Sequence, residues 1–476
     1  MIAMSLAEIA HLVGGRVDGQ PAEGPEVVVT GPAFVDSRAP EPGGLFVAVA
    51  GERVDGHDFA VAAVEAGAAA VLGQRSTGVP TIVVEDSVAA FGRLARAVID
   101  RLPDLTVLAL TGSQGKTGTK DYLAQLLAPS GSTVATRGNH NNELGVPLTV
   151  LCVTPETSYL VVEMGARGVG HISYLCEVAP PQVAAVLNVG TAHLGEFGSR
   201  AAIATAKGEI IEALPATGTA VLNADDPLTA SMADRAAARV VTFGRSGDVA
   251  WRAVEQDPLG RPSFELGHAG EWQPVRLRQI GAHQVANAAA SAAMALAVGI
   301  PLADVATRLG QAEATSRWRM EPVTRSDGLL VVNDAYNANR DSMAAAIDAL
   351  ATIGSRSGRR TVAVLGEMLE LGASAEADHL AVGEAVAGAG IDLLVTVGPG
   401  ADPIVSGARR VPQWRGVART TAGRDDALEF VRNNVTGDDV VLVKASRGAA
   451  LEHLVAGLLA ETEQGSDRIG EGATGQ

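Results

Sequence analysis

The stretch LTVLALTGSQGKTGTK, residues 105–120, is the part of the sequence that decides the fold class. Its apolar first half predicts a buried strand, which enters a glycine-rich turn and leaves it as a helix. Gly112 and Gly115 let the turn bring backbone N–H groups close to an anion, while Lys116 and the helix N-terminus add positive charge. Thr117 is placed to offer its hydroxyl to Mg²⁺. The stretch therefore predicts a phosphate-binding loop.

This loop is a shorter variant of the common pattern G-x-x-x-x-G-K-[ST], because Leu110 stands at the first glycine position. A plain strand-to-helix turn is the structural alternative, but Gly-Lys-Thr between a strand and a helix favours a nucleotide site. Seven consecutive residues are expected to contact the phosphates: Thr111, Gly112, Ser113, Gln114, Gly115, Lys116 and Thr117.

Buried strands alternate with helices on both sides of the loop, which predicts an α/β fold with mostly parallel sheets. Further strands are predicted at 159–165 and 183–190, and an alanine-rich helix at 286–299. The alternation restarts near Arg317, with strands at 329–336, 361–368, 392–398 and 440–446. We expect a small α/β domain (1–86), a central nucleotide-binding domain (87–316), a C-terminal Rossmann-like domain (317–463) and a disordered tail (464–476).

Composition excludes several functional classes. The chain has 476 residues and a formal net charge of −17, which argues against a nucleic-acid binder with a basic face. Only Cys152 and Cys176 are present, with no short pairing pattern, which indicates buried thiols in a reduced compartment. The N-terminus predicts a helix capped by Ser5, not a signal peptide. No apolar run approaches the roughly 18–20 residues of a membrane span, so we expect a cytoplasmic protein, and a monomer.

Two predicted strands end in polar residues that suit metal chemistry. Glu163 ends the strand YLVVE, and His193 follows the strand VAAVLNVG. Ligands of parallel sheets bind at the carboxyl ends of the strands, so both side chains are expected at the same edge as the phosphate loop. Oxygen ligands such as Glu163 suit Mg²⁺, and His193 is a less usual ligand. Composition alone would make Lys207, on the following helix, a solvated lysine.

The ordered set of motifs resembles the Mur ligases of bacterial cell-wall synthesis. The resemblance extends from VDSRAPEPGGLFVAVAGERVDGHDF (35–59) to VLVKASRGAALE (441–452), nearly the whole chain. Between them lie the phosphate loop and NNELGVPLT (141–149), EMGA (163–166), NVGTAHLGEFGS (188–199), AKGEI (206–210), LNADD (222–226), GAHQVANAAASAAMA (281–295) and NDAYNANRDSM (333–343).

This resemblance implies a three-domain, ATP-dependent ligase that activates a carboxylate and joins it to an amine. The implied substrates are ATP, UDP-N-acetylmuramoyl-tripeptide and D-alanyl-D-alanine. Two Mg²⁺ ions are implied, one held by Thr117 and Glu163, the other by His193 and a carbamylated Lys207.

The resemblance also assigns binding residues in each domain. The implied ATP contacts beyond the phosphate loop are Asn287, Arg319 and Asp334, with Asp225 a further candidate near the adenine. The implied contacts to the uridine nucleotide and the peptide substrates are Ser37, Arg38, Asp55, Gly56, His57, Asn142, Glu143, Tyr336, Asn337 and Asn339. Turn chemistry is the structural alternative for the residues on the uridine-nucleotide side, and helix or turn roles are the alternatives for Asn287 and Asp225.

Several positions depart from the family pattern. Trp318 replaces a glycine, which leaves open whether Arg317 or Arg319 reaches the ATP. Arg340 replaces a proline beside the amine pocket. In VLVKASRGAALE, Ala445 and Gly448 stand where Gly and Ser are usual, which leaves the roles of Lys444 and Arg447 open.

Three alternatives remain at this point. The chain lacks the DNPR tetrapeptide of the ligases that add a diamino acid, and YNANRDSM fits a dipeptide-adding member better. Another Mur-type ligase that adds a single amino acid, and folylpolyglutamate synthase, are the alternatives within enzymes. A nucleotide-binding regulator without catalysis is the alternative outside enzymes, and the intact lysine, acidic and histidine positions argue against it.

Overall fold

The computed structural model describes residues 1–19, 26–51, 54–190 and 194–460, and it confirms the α/β fold class. The N-terminal helix is capped as predicted, because the Ser5 hydroxyl accepts the Glu8 N–H at 3.3 Å and Gly14 ends the helix with a left-handed φ of 67°. The elements of this region are β1 (Met4–Ser5), α1 (Leu6–Val13), β2 (Arg16–Asp18), β3 (Val28–Val29), β4 (Ala33–Phe34), β5 (Leu45–Val47), α2 (Ala60–Glu65), β6 (Ala70–Gly73) and β7 (Thr81–Val83). A five-stranded sheet has the order β2-β7-β6-β5-β4, and β1 pairs with β3 separately.

The middle of the chain builds a nine-stranded sheet around the phosphate loop. Its elements are α3 (Ser87–Asp100), β8 (Thr106–Thr111), α4 (Lys116–Leu127), β9 (Ser132–Ala135), α5 (Gly145–Val150), β10 (Thr157–Glu163), α6 (His171–Val178), β11 (Val183–Val186), α7 (Leu194–Phe197), α8 (Arg200–Glu212), β12 (Thr219–Asn223), α9 (Pro227–Ala230), β13 (Arg239–Phe243), β14 (Val249–Gln256), β15 (Pro262–His268), β16 (Glu271–Arg276), α10 (His283–Ala297) and α11 (Leu302–Gln311). The strand order is β16-β15-β14-β13-β12-β11-β8-β10-β9.

The three strands predicted in this region are neighbours at the centre of the sheet. β8 lies between β10 and β11 and is parallel to both, so the carboxyl ends of all three meet at one edge. That edge carries the phosphate loop, Glu163 and the segment after β11. Strands β12 to β16 were not predicted, and β15 and β16 form an antiparallel hairpin at the far side of the sheet.

From Arg317 onward the chain forms a six-stranded sheet of its own. The elements are β17 (Glu321–Thr324), β18 (Leu330–Asp334), α12 (Arg340–Ser357), β19 (Arg360–Gly366), α13 (Ala375–Gly388), β20 (Leu393–Val397), α14 (Asp402–Arg409), β21 (Val417–Thr421), α15 (Arg424–Asn434), β22 (Asp439–Lys444) and α16 (Glu452–Leu459). The order is β17-β18-β22-β19-β20-β21, parallel except for β17. All four strands predicted here are present, and their apolar side chains pack against helices on both faces.

Contacts divide the chain into two compact units, which we call unit 1 and unit 2. Unit 1 comprises Met1–Glu255, Ser263–Arg278 and His283–Ser316, so the predicted N-terminal and central domains share it. Unit 2 comprises Gln256–Pro262, Gln279–Ala282 and the chain from Arg317. The two short segments were expected in the central domain. The predicted tail at 464–476 lies outside the described residues.

Two further expectations concern the cysteines and membrane spans. Cys176 is a buried free thiol as predicted, whereas the free thiol Cys152 is only half-buried, so the expectation of burial was wrong for Cys152. Within the described parts of the chain, no helix combines the length and apolarity needed to cross a membrane.

Candidate active site

The phosphate loop is the turn between β8 and α4. Gly115 precedes α4 with a left-handed φ of 81°, a conformation that favours glycine, and a Cβ there would displace the side-chain oxygen of Asn287. Lys116 is half-buried, and its Nζ donates to the Gly112 carbonyl at 2.7 Å. The loop thus keeps its lysine folded over its own backbone, where an anion would lie between charge and N–H groups.

Glu163 lies beside this loop and is tightly held. It is 2% exposed at the end of β10, where Thr117 Oγ1 donates to its Oε2 at 3.0 Å and Asn141 Nδ2 donates to its Oε1 at 2.8 Å. Its backbone N–H donates to Thr136 Oγ1 at 3.0 Å. Both carboxylate oxygens are therefore oriented, one of them toward the hydroxyl of the phosphate loop.

The sequence did not single out Asn141, although this residue begins the motif NNELGVPLT. Asn141 also accepts the Gly165 N–H at 2.7 Å through its backbone carbonyl, which ties its loop to the end of β10. The sequence shows two adjacent asparagines here, but it does not indicate which of them faces the Glu163 carboxylate. Asn142, the predicted substrate contact, instead accepts the Gly145 N–H at 2.9 Å in the turn that precedes α5. Glu143 beside it is exposed.

The oxygen atoms around the loop fit Mg²⁺. Thr117 and Glu163 offer a hydroxyl and a carboxylate oxygen in contact, the hard ligands that this ion prefers alongside phosphate and water. In the described residues no group of three or more His, Cys, Asp and Glu side chains could hold a metal ion. A site with few protein ligands is what a nucleotide-bound Mg²⁺ requires. His193, the other predicted ligand, lies outside the described residues.

Lys207 is not the solvated lysine that composition alone suggested. It lies on α8 and is only 5% exposed, and its ammonium has no hydrogen-bond or ion-pair partner among the residues that the structure describes. Burial, with the positive charge of nearby Lys116, holds the pKa of Lys207 well below its ordinary value. The site therefore favours the neutral amine, or its conversion to an anion, over a buried cation.

The two residues predicted near the adenine, Asn287 and Asp225, have different surroundings. Asn287 on α10 faces the phosphate loop between Gly115 and Gly118, and its Nδ2 donates to Gln284 Oε1 at 3.1 Å. Asp225 accepts the Arg245 N–H at 3.1 Å and so holds the turn that follows β13. Asn287 is thus at the loop, and Asp225 has a clear structural role.

In the N-terminal region, the predicted nucleotide contacts form two local networks. Arg38 Nη2 donates to Asp36 Oδ2 at 2.8 Å, and this bond lowers the pKa of Asp36 to about 2. His57 is 6% exposed, with Nδ1 2.5 Å from Asp55 Oδ1 and Nε2 accepting the Gln74 N–H at 2.7 Å. Because the buried His57 ring uses both of its nitrogens in these contacts, it fixes the turn that carries Asp55. The exposed Arg38 remains accessible to a ligand.

In unit 2, Asp334 ends β18 and pairs with Lys444 at the end of β22. Lys444 Nζ donates to Asp334 Oδ2 at 2.6 Å and to the Asn337 carbonyl at 2.8 Å, while Asp334 Oδ1 accepts the Met320 N–H at 3.1 Å. This network gives Lys444, whose role the sequence left open, a structural partner. It also orders the segment around Arg319, whose guanidinium lies 4.1 Å from the centre of the Tyr336 ring.

Trp318 takes a left-handed φ of 61°, which explains why the family pattern has glycine there. Its ring lies 4.4 Å from the Arg447 guanidinium, and Arg447 Nη1 also bonds to Glu452 Oε1 at 2.5 Å. The stack offsets part of the cost of an unusual backbone conformation. Arg447 thereby gains a fixed position in unit 2.

The two predicted pocket asparagines of unit 2 differ in their bonds. Asn339 is the N-cap of α12, where its side chain accepts the Ser342 N–H at 2.9 Å. Asn337 is exposed, and its Oδ1 accepts the Ala338 N–H at 2.9 Å. Arg340 lies 3.5 Å from Asp378 in a half-exposed pair. Asn337 is therefore more available to a ligand than Asn339.

The sequence matches known protein families and curated relatives along nearly its whole length. Three family models match in order along the chain: the Mur ligase family catalytic domain at 34–109, the Mur ligase middle domain at 110–295 and the Mur ligase glutamate ligase domain at 318–447. A relative from Mycobacterium tuberculosis, named UDP-N-acetylmuramoyl-tripeptide–D-alanyl-D-alanine ligase, is 46% identical over 98% of this chain and 100% of its own length. A relative of the same name from Escherichia coli is 36% identical over 96% and 99%.

Solved structures with a similar fold also come from Mur ligases. A MurF structure from Acinetobacter baumannii is 34% identical, with a TM-score of 0.86 over 96% of this chain and 99% of the other. A MurF ligase from Thermotoga maritima in complex with ADP is 31% identical, with a TM-score of 0.78 over 90% and 97%.

Proposed function

Because this chain belongs to the Mur ligase family, we propose that it joins D-alanyl-D-alanine to the peptide carboxylate of UDP-N-acetylmuramoyl-tripeptide at the expense of ATP. The full-length similarity to relatives of that name supports the substrates. The observation that carries the catalytic part is the contact between Thr117 of the phosphate loop and the buried Glu163. We further propose that the protein acts as a monomer in the cytoplasm, where nucleotide-linked precursors and ATP are available.

The reaction has two steps. An oxygen of the tripeptide carboxylate attacks the γ-phosphorus of ATP, the bond to the β-phosphate oxygen breaks, and an acyl phosphate and ADP form. The amine of D-alanyl-D-alanine then attacks the acyl carbon, loses a proton, and inorganic phosphate leaves with the C–O bonding pair. Positioning and charge stabilisation dominate such a phosphoryl transfer, and Lys116 with the loop N–H groups supplies them.

Thr117 and Glu163 would hold one Mg²⁺, and His193 with a carbamylated Lys207 would help to hold a second. Bound Mg²⁺ supplies neutralising charge for the phosphates. Asn141 and Thr136 keep the Glu163 carboxylate in place, so little reorganisation is needed when the ion arrives.

Carbamylation of Lys207 would account for the burial of a lysine that has no partner among the described residues. The neutral amine attacks the carbon of CO₂ and loses one proton, which gives a carbamate anion with two oxygen ligands. The depressed pKa of Lys207 favours the neutral amine that this step needs, and a carbamate would replace the repulsion from Lys116 with attraction.

The remaining roles follow the sequence assignments. Asn287 would contact the adenine nucleotide, and Arg319 and Asp334 would bind ATP. Ser37 and Arg38 would bind the uridine nucleotide. In the peptide-binding region, Asn142 and Glu143 would contact the tripeptide substrate, and Tyr336, Asn337 and Asn339 would line the pocket for the amine. The bonds of Asn142 and Asn339 to backbone N–H groups leave their amide nitrogens for this purpose.

A single-turnover assay tests the proposal. Purified protein with UDP-N-acetylmuramoyl-tripeptide and ATP is offered D-alanyl-D-alanine, D-alanine, lysine or diaminopimelate in separate reactions, with ADP release and product mass as readouts. We expect a product with the dipeptide alone. Equal turnover with a single amino acid would show a different Mur-type ligase, and no ADP release with any amine would indicate a nucleotide-binding regulator.

A further inference from the structure

In the segment that follows β11, the side chain of Asn188 makes three bonds to the phosphate loop. Its Oδ1 accepts the N–H groups of Ser113 and Gln114, both at 3.0 Å, and its Nδ2 donates to the Gln114 carbonyl at 3.1 Å. The Ser113 N–H also points to the backbone carbonyl of Asn188 at 3.2 Å. Only a carboxamide offers a double acceptor and a donor in this arrangement.

The same segment is fixed from its other side. The Val189 N–H donates to Asp226 Oδ2 at 2.7 Å, and Arg200 Nη2 donates to the Val189 carbonyl at 2.6 Å. The Gly190 N–H makes a further bond to the phosphate loop itself, donating to Ser113 Oγ at 2.9 Å. The bonds of Val189 to Asp226 and Arg200 hold the segment independently of the phosphate loop, so Asn188 constrains the loop from a segment that is fixed elsewhere.

We infer that Asn188 is a positioning residue for the nucleotide. Its side chain bonds the N–H groups of Ser113 and Gln114 and the carbonyl of Gln114. These bonds set the direction in which the chain enters Gly115 and the first turn of α4. The N–H groups of that turn, with Lys116, are the ones expected to receive the phosphates. A binding loop that is already in place needs little reorganisation when its anion arrives, so the bonds of Asn188 contribute to nucleotide affinity without touching the nucleotide.

This inference rests on the part of the proposed function that makes the phosphate loop the ATP site. It is independent of which amine the enzyme uses. Nucleotide binding therefore tests it separately from ligation.

Asn223 provides a matched control. It is also a half-buried asparagine at the end of a strand of the same sheet, and its Nδ2 donates to the Leu187 carbonyl at 2.8 Å. Its Oδ1 accepts the Asp225 N–H at 2.9 Å, away from the phosphate loop. Asn223→Ala loses comparable local bonding and frees the carbonyl of Leu187, next to Asn188, but it keeps every bond between the Asn188 side chain and the phosphate loop, so it separates those bonds from general loosening of the segment.

The experiment measures ADP binding by isothermal titration calorimetry, without Mg²⁺, for wild type, Asn188→Ala and Asn223→Ala, with thermal unfolding of each. We expect Asn188→Ala to raise the Kd for ADP about tenfold, equivalent to about 1.4 kcal/mol, and Asn223→Ala to stay within about twofold of wild type at a similar loss of Tm. In the ligation assay, Asn188→Ala should raise the KM for ATP and leave the KM for the dipeptide unchanged.

Two outcomes would overturn the inference: an ADP Kd for Asn188→Ala within about twofold of wild type, or an equal rise in Kd for Asn223→Ala. Should Asn188→Ala not fold, the isosteric Asn188→Asp carries the test. It keeps the acceptor for two N–H groups but turns a carboxylate oxygen toward the Gln114 carbonyl and the phosphates, so its ADP affinity should fall at least as far. Wild-type affinity in Asn188→Asp would equally reject the role. Intact ADP binding without ligation would refute the proposed function and leave this inference standing.

Discussion

The phosphate-loop region of unit 1 and the Asp334 region of unit 2 use their polar side chains in different ways. In unit 1, Glu163 receives bonds from Thr117 and Asn141 that orient a carboxylate toward a ligand site. In unit 2, two of the predicted ligand-binding groups hold their own unit together. Asp334 pairs with Lys444, and Asn339 caps a helix.

This difference separates two kinds of site. A preformed site with oriented, buried groups loses function steeply when one group is removed, because its partners are arranged for a single geometry. A site whose groups also carry stability shows mixed effects, in which lost binding and lost folding free energy must be separated. We therefore expect larger losses of activity from substitutions at the first kind of site than at the second.

Lys116→Ala should have the largest effect. Loss of the positive charge at the phosphate loop should lower kcat by about 10³-fold or more, on the order of 4 kcal/mol in the transition state. Folding should be preserved, because Lys116 is half-buried and its Nζ donates to a carbonyl of the loop itself. ADP release and circular dichroism measure the two effects. More than a tenth of wild-type activity would remove Lys116 from its proposed role.

Lys207→Ala should be nearly inactive, since the carbamate oxygens would be lost together with the amine. Added acetate should partly restore turnover by supplying carboxylate oxygens in the vacated space. Glu212→Ala on the same helix is the control, because Glu212 is exposed and pairs with Arg235 at 2.8 Å. It should keep wild-type turnover. A free ammonium at Lys207 in a structure with nucleotide and Mg²⁺ bound would contradict carbamylation.

The two regions also differ in how far the sequence predicted them. Around the phosphate loop, the motif predicted the strand, the turn and the helix, because each depends on the local sequence pattern. The position of Glu163 followed from the rule that ligands bind at the carboxyl ends of parallel strands. Asn141 and Asn188 were missed because their importance depends on which loops meet in three dimensions. The hairpin strands β15 and β16 were missed because they lie outside the repeated strand–helix alternation that guided the prediction. In unit 2 the strands were predicted. The N-cap role of Asn339 was not, because it depends on the residue at which α12 begins.

Asn141→Ala and Asn142→Ala sharpen the comparison within unit 1. Without the Asn141 amide, Glu163 loses one of its two side-chain donors, so we expect the Mg²⁺ concentration for half-maximal activity to rise about tenfold. The stabilisation of the ADP complex by Mg²⁺, measured as a shift in Tm, should fall in parallel. Asn142→Ala should instead cost about 1 kcal/mol of stability through its lost bonds to the α5 turn, with the same Mg²⁺ requirement as wild type. An unchanged Mg²⁺ requirement in Asn141→Ala would restrict that residue to holding its loop.

Asn337→Ala and Asn339→Ala make the corresponding test in unit 2, where the expected effects are smallest. Asn337 is exposed and bonds only its neighbour's N–H among the contacts of its side chain that the structure describes, so its loss should raise the KM for D-alanyl-D-alanine several-fold, about 1 kcal/mol. Its KM for ATP and its Tm should stay at wild-type values. Asn339→Ala removes the N-cap of α12 and should lower the free energy of unfolding by about 1 kcal/mol. If the dipeptide KM changes in Asn339→Ala and not in Asn337→Ala, the cap residue is the ligand contact, and Asn337 is a turn residue.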